Sequence, residues 1–149
     1  MKTTLTILAI ALALLLGWIR FSPTDVDDWH LDPGDTEDPG QSGLRLIGRE
    51  APRFPGDPDT VLTEVMSIAK AEPRTRVLDG SVEEGMITFV HRTRLMGYRD
   101  YTTLKAVAEG DMTKLSLAAR SRYSFAHDWG TNSARMDRWL AELQDRLQR

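Results

Sequence analysis

The N-terminus carries an uncharged apolar run that limits how much of this 149-residue chain is left to build a domain. Residues 3–19 contain no charge, and from Leu5 they read LTILAIALALLLGWI. A bilayer core needs roughly 17–25 helical residues, so the run is just long enough to cross a membrane. Residues 20–57 are too rich in proline, glycine and aspartate to form a core, which leaves residues 58–149 for one small domain.

Three interpretations compete for this run: a permanent anchor, a cleaved signal peptide and a buried helix. Signal peptidase requires small residues in an A-x-A-like pattern, and the end of the run, Gly17-Trp18-Ile19-Arg20-Phe21, fits that pattern poorly. Trp18 and Arg20 instead suit the lipid–water interface. We therefore expect an uncleaved single-pass helix in the cytoplasmic (inner) membrane. Lys2 before it and an acidic stretch after it favour an extracytoplasmic domain at the cell envelope.

Cysteine content and charge exclude several classes of function. Without cysteine the chain has no disulfide, no thiolate zinc site, no cysteine nucleophile and no lipoprotein processing site. The net charge of −3 is unevenly placed, because residues 21–60 sum to −7 and residues 61–149 to +2. This is far from the basic excess of a nucleic-acid-binding protein. We therefore expect no nucleic acid partner, and we predict no metal and no cofactor.

Residues 21–57 are predicted to form an acidic tether rich in proline and glycine. Six of the seven prolines fall between Pro23 and Pro58, and the segment has neither a helical nor a strand period. Its aspartates lack the order of a calcium-binding loop. Two short pieces could still dock on the domain, Trp29-His30-Leu31 and Leu44-Arg45-Leu46-Ile47.

Residues 58–149 predict a two-layer α+β domain in the order α-β-β-β-β-α. Asp57 suits an N-cap and Pro58 the first position of a helix that ends before Pro73. Four strand-like segments follow, joined by short turns, which indicates an antiparallel four-stranded meander. A second helix is predicted to begin near Asn132 or Ser133, and the two helices would cover one face of the sheet. The predicted strands are 75–78, 86–95, 98–108 and 112–124.

The last third of the chain carries the most specific motifs. Arg120-Ser121-Arg122-Tyr123 is followed by Asp128–Arg135, which has the form D-x-G-x-N-x-x-R, and Thr93–Asp100 lies upstream. Together these resemble a bacterial and plastid family of unknown function that is often membrane-anchored, over about residues 58–145. Two departures stand out: Ser124-Phe125-Ala126-His127 replaces a shorter spacer that often contains glycine, and the P-N-C motif of many members is missing. The resemblance implies the fold but no reaction.

Arginines are the main candidates for ligand binding. Alternate residues of a strand share a face, so Arg92 and Arg94 are predicted to point the same way, as are Arg120 and Arg122. If the two strands are neighbours, the four guanidiniums form a cluster that needs carboxylates or an anion to balance it. A solvated face with weak ion pairs is the competing interpretation. Arg135 is a fifth candidate, close to the turn.

The turn itself is predicted to be structural. Gly130 permits a positive φ, Asn132 can cap the last helix, and Asp128 can accept from open N–H groups. The functional alternative is a helix N-terminus that binds an anion near Arg122. His127 beside Asp128 could form an acid–base pair, although adjacent residues of an extended chain point apart.

These observations predict a membrane-anchored, non-enzymatic binding or scaffold domain for an anionic ligand such as a lipid headgroup or an envelope partner. One alternative is a hydrolase that uses His127 and Asp128. Another is a domain with an apolar cavity for a lipid tail, which would require a volume of about 300 Å³ or more.

Overall fold

The computed structural model describes residues 1–123 and 128–149 and contains a mixed α+β domain behind an N-terminal helix. Six antiparallel strands form one open sheet in the order β1-β6-β5-β4-β3, and β2 pairs with β6 beyond the end of β1. The helices are α1 (Lys2–Phe21), α2 (Pro58–Ala71) and α3 (Thr131–Leu147). The strands are β1 (Gly43–Leu46), β2 (Arg53–Pro55), β3 (Thr75–Ser81), β4 (Met86–Arg92), β5 (Arg99–Glu109) and β6 (Met112–Ser121).

Helix α2 begins where local capping predicts, whereas α3 begins at Thr131 after Gly130, so the prediction that Asn132 caps it was wrong. The Asp57 carboxylate accepts the Thr60 N–H at 2.9 Å, and Pro58 occupies the first turn of α2. Both helices then bury one apolar stripe against the same face of the sheet, which we call the helix face. Its core contains Val61, Leu62, Val65, Ile68, Ile87, Phe89, Leu104, Leu115, Leu117, Met136, Trp139 and Leu143.

The predicted meander is confirmed for β3 to β6, and the sheet is larger than predicted. β1 and β2 add to the free edge of β6, so the sheet has six strands and not four. β4 also ends earlier than predicted, at Arg92. The reason is a tight turn in which the Thr93 N–H donates to the Tyr98 carbonyl at 2.9 Å and Gly97 adopts a φ of 70°.

The opposite face of the sheet is covered by residues 22–42, which we call the strap. Trp29 of the strap stacks on Tyr101 of β5 with ring centroids 3.9 Å apart. His30 bonds to Thr88 of β4 at 2.8 Å, and Asp32 forms an ion pair with Lys105 of β5. The prediction of an extended tether is therefore corrected, because this segment has a polar and aromatic sheet face to bind. Both of the pieces singled out as able to dock, around Trp29 and around Leu44, do so.

Helix α1 is long and apolar enough to cross a membrane. It spans 20 residues with a mean hydropathy of 2.1, and only 6% of its most apolar window is buried against the rest of the chain. A signal sequence at this position has the same length and composition. The C-terminus of α1 packs against the end of the sheet where β4 finishes and β5 begins. We call this end of the sheet the α1 end.

Candidate anion-binding surface

Arg99 fixes the end of α1 and the start of the strap to the sheet. Its side chain donates to the carbonyl of Ser22 at 2.6 Å, to the carbonyl of Arg20 at 2.9 Å and to the Thr24 hydroxyl at 3.0 Å. The residue is only 3% exposed. The last carbonyls of a helix have no partner within the helix and carry partial negative charge. A guanidinium is therefore well suited to cap them.

Arg92 lies beside Arg99 in the register of β4 and β5 and shares this role. It donates to the Arg20 carbonyl at 2.7 Å. Burial lowers the pKa of Arg92, and the neighbouring charges of Arg99, Arg76 and Arg20 lower it further. Among the described residues, none of these four arginines is within ion-pair distance of a carboxylate. The α1 end thus carries an uncompensated cationic cluster.

Arg120, on the strap side of β6, and Arg122, just after the end of β6, hold the strap. Arg122 donates to the Pro23 carbonyl at 2.8 Å and lies 3.3 Å from the Thr24 hydroxyl. Arg120 donates to the Trp29 carbonyl at 3.2 Å, and its guanidinium carbon is 5.0 Å from the centroid of the Trp29 ring. Burial lowers the pKa of Arg120. Both guanidiniums therefore bind backbone carbonyls of the strap, with no acidic side chain among their hydrogen-bond partners in the described residues.

The other two candidate arginines lie elsewhere. Arg94 is exposed in the turn after β4, so it does not share a strand face with Arg92 as predicted. It still lies at the α1 end. Arg135 is on the helix face, 2% exposed, where its guanidinium is 3.4 Å from both Glu72 and Asp100. The five arginines named from the sequence therefore occupy three different environments.

The D-x-G-x-N-x-x-R turn binds its own helix. The Asp128 carboxylate accepts the N–H of Gly130 at 2.8 Å and the N–H of Asn132 at 3.2 Å. Gly130 has a φ of 75°, in the left-handed region. The N-terminus of α3 attracts negative charge, and the Asp128 carboxylate already supplies that charge. This arrangement favours the structural interpretation of the turn over an external anion site. His127 lies outside the described residues.

A buried polar network joins this turn to the sheet. Ser121 donates to Asp100 at 2.8 Å, the Asn132 amide donates to Ser121 at 3.3 Å, and Arg135 donates to the Asn132 oxygen at 2.9 Å. Burial raises the pKa of Asp100, while Ser121 and Arg135 act to lower it. The motif residues of β6 and α3 thus form one network that fixes α3 to the sheet.

A cavity of about 360 Å³ opens beside this network at the α1 end. Its lining includes the rings of Tyr98 and Tyr123, whose centroids are 5.6 Å apart, and of Trp129. Arg99, Asp100, Ser121 and Arg122 supply polar groups. Its volume exceeds the roughly 300 Å³ that a cavity for a lipid tail requires.

His91 on the helix face predicts a measurable pH dependence of stability. Burial and the charge of Arg135 lower the pKa of His91 from 6.5 to about 4, although Glu72 acts to raise it. Between these values the unfolded chain binds a proton that the folded chain does not. Stability should therefore fall as the pH falls from about 6.5 to 4, by at most about 3 kcal/mol.

The variant His91→Gln isolates this contribution, because glutamine does not titrate. Asp100 has the opposite sign, since a raised carboxyl pKa adds stability on acidification. Urea unfolding of the full chain at several pH values should give a flatter profile for His91→Gln between pH 6.5 and 4. An unchanged slope would show that His91 is protonated in the folded protein as readily as in the unfolded one.

The two ends of the sheet differ in charge. At the opposite end, the β3–β4 turn carries Glu83 and Glu84, β5 ends at Glu109, and the β5–β6 turn carries Asp111. Glu109 is paired with Arg53 and Lys114. The strap adds exposed acids at Asp25, Asp27 and Asp28, of which Asp25 and Asp28 line a pocket together with Arg122 and therefore lie near the α1 end. The arginines at the α1 end are Arg20, Arg74, Arg76, Arg92, Arg94, Arg99, Arg120 and Arg122.

Arg99 is the residue that sequence reasoning missed. A single arginine near the start of the predicted strand 98–108 has no pattern of its own that marks it as functional. In the predicted hairpin of strands 86–95 and 98–108, Arg99 would lie opposite Arg94, and only the longer Thr93–Tyr98 turn of the structure sets it opposite Arg92. Across residues 1–123 and 128–149, no group of three or more histidine, aspartate and glutamate side chains is arranged to hold a metal ion.

Comparison with known proteins identifies a family without an assigned activity. No curated protein and no solved structure matches the chain significantly. A family model described as "protein of unknown function (DUF1499)" matches residues 48–143, which is more than half of the chain and includes β2 to β6, α2 and most of α3. The protein therefore belongs to the DUF1499 family.

Proposed function

We propose that this protein is a single-pass membrane protein whose domain binds phosphate-bearing lipid headgroups at the α1 end of its sheet. The observation that carries this proposal is the cationic cluster of Arg20, Arg76, Arg92 and Arg99, placed where the chain leaves the apolar helix. Anionic lipids attract basic residues near the bilayer surface by about 1 kcal/mol each. The acidic residues at the opposite end of the sheet, Glu83, Glu84, Glu109 and Asp111, would then face away from the membrane.

The arrangement favours a binding domain over a hydrolase. Asp128, the carboxylate proposed for acid–base chemistry, already accepts two backbone N–H groups. Asp100 is bonded to Ser121 and lies 3.4 Å from Arg135 in the buried network. By contrast, the side chains of Arg20, Arg76 and Arg94 are exposed and form no hydrogen bond or ion pair among the described residues. These are the groups available to phosphate.

Replacing Arg20, Arg76 and Arg94 together with glutamine should weaken headgroup binding. The full chain in neutral detergent micelles would be titrated with short-chain phosphatidylglycerol, and with phosphatidylcholine of the same chain length. We expect the wild type to prefer phosphatidylglycerol, and the triple variant to bind it about tenfold more weakly or worse. The wild-type affinity should also fall as salt is added.

A matched control removes the same charge at a distance. Arg49, Lys114 and Arg149 lie away from the α1 end, and their triple replacement by glutamine should leave binding nearly unchanged. An equal loss of affinity for phosphatidylglycerol in both triple variants would show that binding depends only on net charge and would contradict a site at the α1 end. Equal binding of the two lipids by the wild type would refute the proposal.

The cavity beside Tyr98 and Tyr123 favours a second candidate, in which the tail of the lipid is held as well. Glycerol phosphate carries the headgroup phosphate without an acyl chain. In the same titration it distinguishes binding of the headgroup alone from binding of the headgroup and the tail. If only the headgroup is recognised, glycerol phosphate competes with the short-chain lipid at the cationic cluster. If the cavity holds the tail, the lipid binds much more tightly than glycerol phosphate does.

A further inference from the structure

Two large apolar side chains at the α1 end are almost fully exposed. Leu95, in the turn between β4 and β5, is 88% exposed, and Trp129, just before α3, is 87% exposed. Met96 beside Leu95 is 40% exposed. Outside residues 1–21, no other large apolar residue among those described exceeds 41%. Exposed apolar groups of this size that lie together usually mark an interaction site.

Leu95 and Trp129 belong to one surface. The turn that carries Leu95 begins at Thr93 and ends at Tyr98, and both of these residues line the same cavity as Trp129. The turn also lies directly against α1, because a Cβ on Gly97 would be 3.1 Å from a side-chain nitrogen of Arg20. The apolar surface formed by Leu95, Met96 and Trp129 therefore borders one cavity and, at the Thr93–Tyr98 turn, the C-terminal end of α1.

We infer that this surface, which we call the wedge, enters the interfacial layer of the bilayer beside α1. The inference rests on the proposed membrane anchoring of α1 and adds a second point of attachment. Tryptophan favours the interface, where its ring is in apolar surroundings and its N–H remains near water. Arg94 precedes Leu95 in the same turn, so its guanidinium would lie at the level of the headgroups while Leu95 lies deeper.

The occupant that fits the wedge is lipid rather than a second copy of the chain. The wedge is surrounded by the arginines of the α1 end, which an anionic bilayer would attract and which two copies of the same surface would bring into repulsion. A wedge in the bilayer also fixes the tilt of the domain, because the domain is then held at the Arg20 carbonyl and at Leu95. The cavity at Tyr98 would consequently open at the depth of the headgroups.

Site-specific fluorescence tests the inference, and the lack of native cysteine makes each label unique. Three full-chain variants, Leu95→Cys, Val107→Cys and Leu12→Cys, would carry an environment-sensitive dye in vesicles of phosphatidylcholine and phosphatidylglycerol. Val107 is 41% exposed near the opposite end of the sheet, and Leu12 is in the middle of α1. Quenching by nitroxide lipids reports contact with the bilayer, and quenching by iodide reports contact with water.

We expect the Leu95 label to be quenched by nitroxide lipids and to be several-fold less accessible to iodide than the Val107 label. A Leu95 label as open to iodide as Val107, with Leu12 in the bilayer, would overturn the wedge and leave the anchor in place. A Leu12 label outside the bilayer would overturn the anchor itself. Shielding of Leu95 that grows with protein density, without quenching by nitroxide lipids, would indicate self-association and also overturn the inference.

Discussion

Replacing Arg99 with alanine is expected to lower the free energy of unfolding of the full chain by about 3 kcal/mol. The variant removes a buried guanidinium from the carbonyls of Arg20 and Ser22 and from the Thr24 hydroxyl. Each hydrogen bond to a charged group is worth about 1.5–3 kcal/mol, and the Ser22 carbonyl adds a desolvation cost, whereas the Arg20 carbonyl keeps Arg92 as a donor. Relief of the repulsion between Arg99 and Arg92 offsets part of the loss.

Urea unfolding in detergent would measure this loss, and limited proteolysis would locate it. The strap should become cleavable in Arg99→Ala while the sheet remains intact, because Arg99 acts on the strap and on the end of α1. Arg76→Ala is the matched control, since Arg76 is exposed and its replacement should change stability by no more than about 0.5 kcal/mol. Equal losses in the two variants would contradict the role given to Arg99.

The second large effect is expected at Asp100. Replacing Asp100 with alanine removes the carboxylate closest to Ser121 and leaves the buried Arg135 with Glu72 as its remaining acidic partner. Breaking a buried ion pair by removing one partner costs about 3–5 kcal/mol, because the other charge stays buried. We expect a loss in the lower part of that range, since Asn132 still accepts from Arg135.

A double-mutant cycle separates this pair from general damage to the core. If Asp100 and Arg135 interact as the structure indicates, the variant Asp100→Ala/Arg135→Ala should lose less stability than the two single variants together, by at least about 0.5 kcal/mol. Strict additivity would show that the two groups contribute independently. Asp137→Ala, an exposed change on α3, is the control for the loss of an acidic residue in the same region.

The parts of the fold that sequence predicts well are those encoded locally. Asp57 and Pro58 mark the start of α2 through bonds that span three residues, and the apolar stripe of α3 is visible at helical spacing. The meander follows from short turns between strands. In each case neighbouring residues contain the information, so the pattern and the structure agree.

The strap escaped prediction because its contacts are distant in sequence. Arg99 and Ser22 are 77 residues apart, and Trp29 meets Tyr101 at a similar distance along the chain. Proline and glycine disfavour helices and central strands, yet they permit an extended segment that packs through side chains. Composition alone therefore does not distinguish a free tether from a docked one.

The candidate site was predicted only in part, because its contacts are also distant in sequence. Strand alternation placed Arg120 and Arg122 on one face, as found, but their partners proved to be strap carbonyls. The prediction that Arg94 shares a strand face with Arg92 was wrong. Strand-forming residues continue through Leu95 in the sequence, but the Thr93–Tyr98 turn ends β4 at Arg92. The register that sets Arg92 beside Arg99 is a tertiary feature, and it is this register that creates the cationic cluster.

Amide hydrogen exchange of the full chain in phosphatidylglycerol-containing nanodiscs tests the central claim, that the strap is docked on the sheet and fixes the domain to the end of α1. We predict that the amides of Trp29 and His30, which donate to the Val26 carbonyl, and the amides of β1 exchange slowly, on the timescale of the sheet. The same amides should exchange faster in Arg99→Ala. Exchange of residues 22–46 at the rate of an unstructured peptide in the wild-type protein would contradict the account.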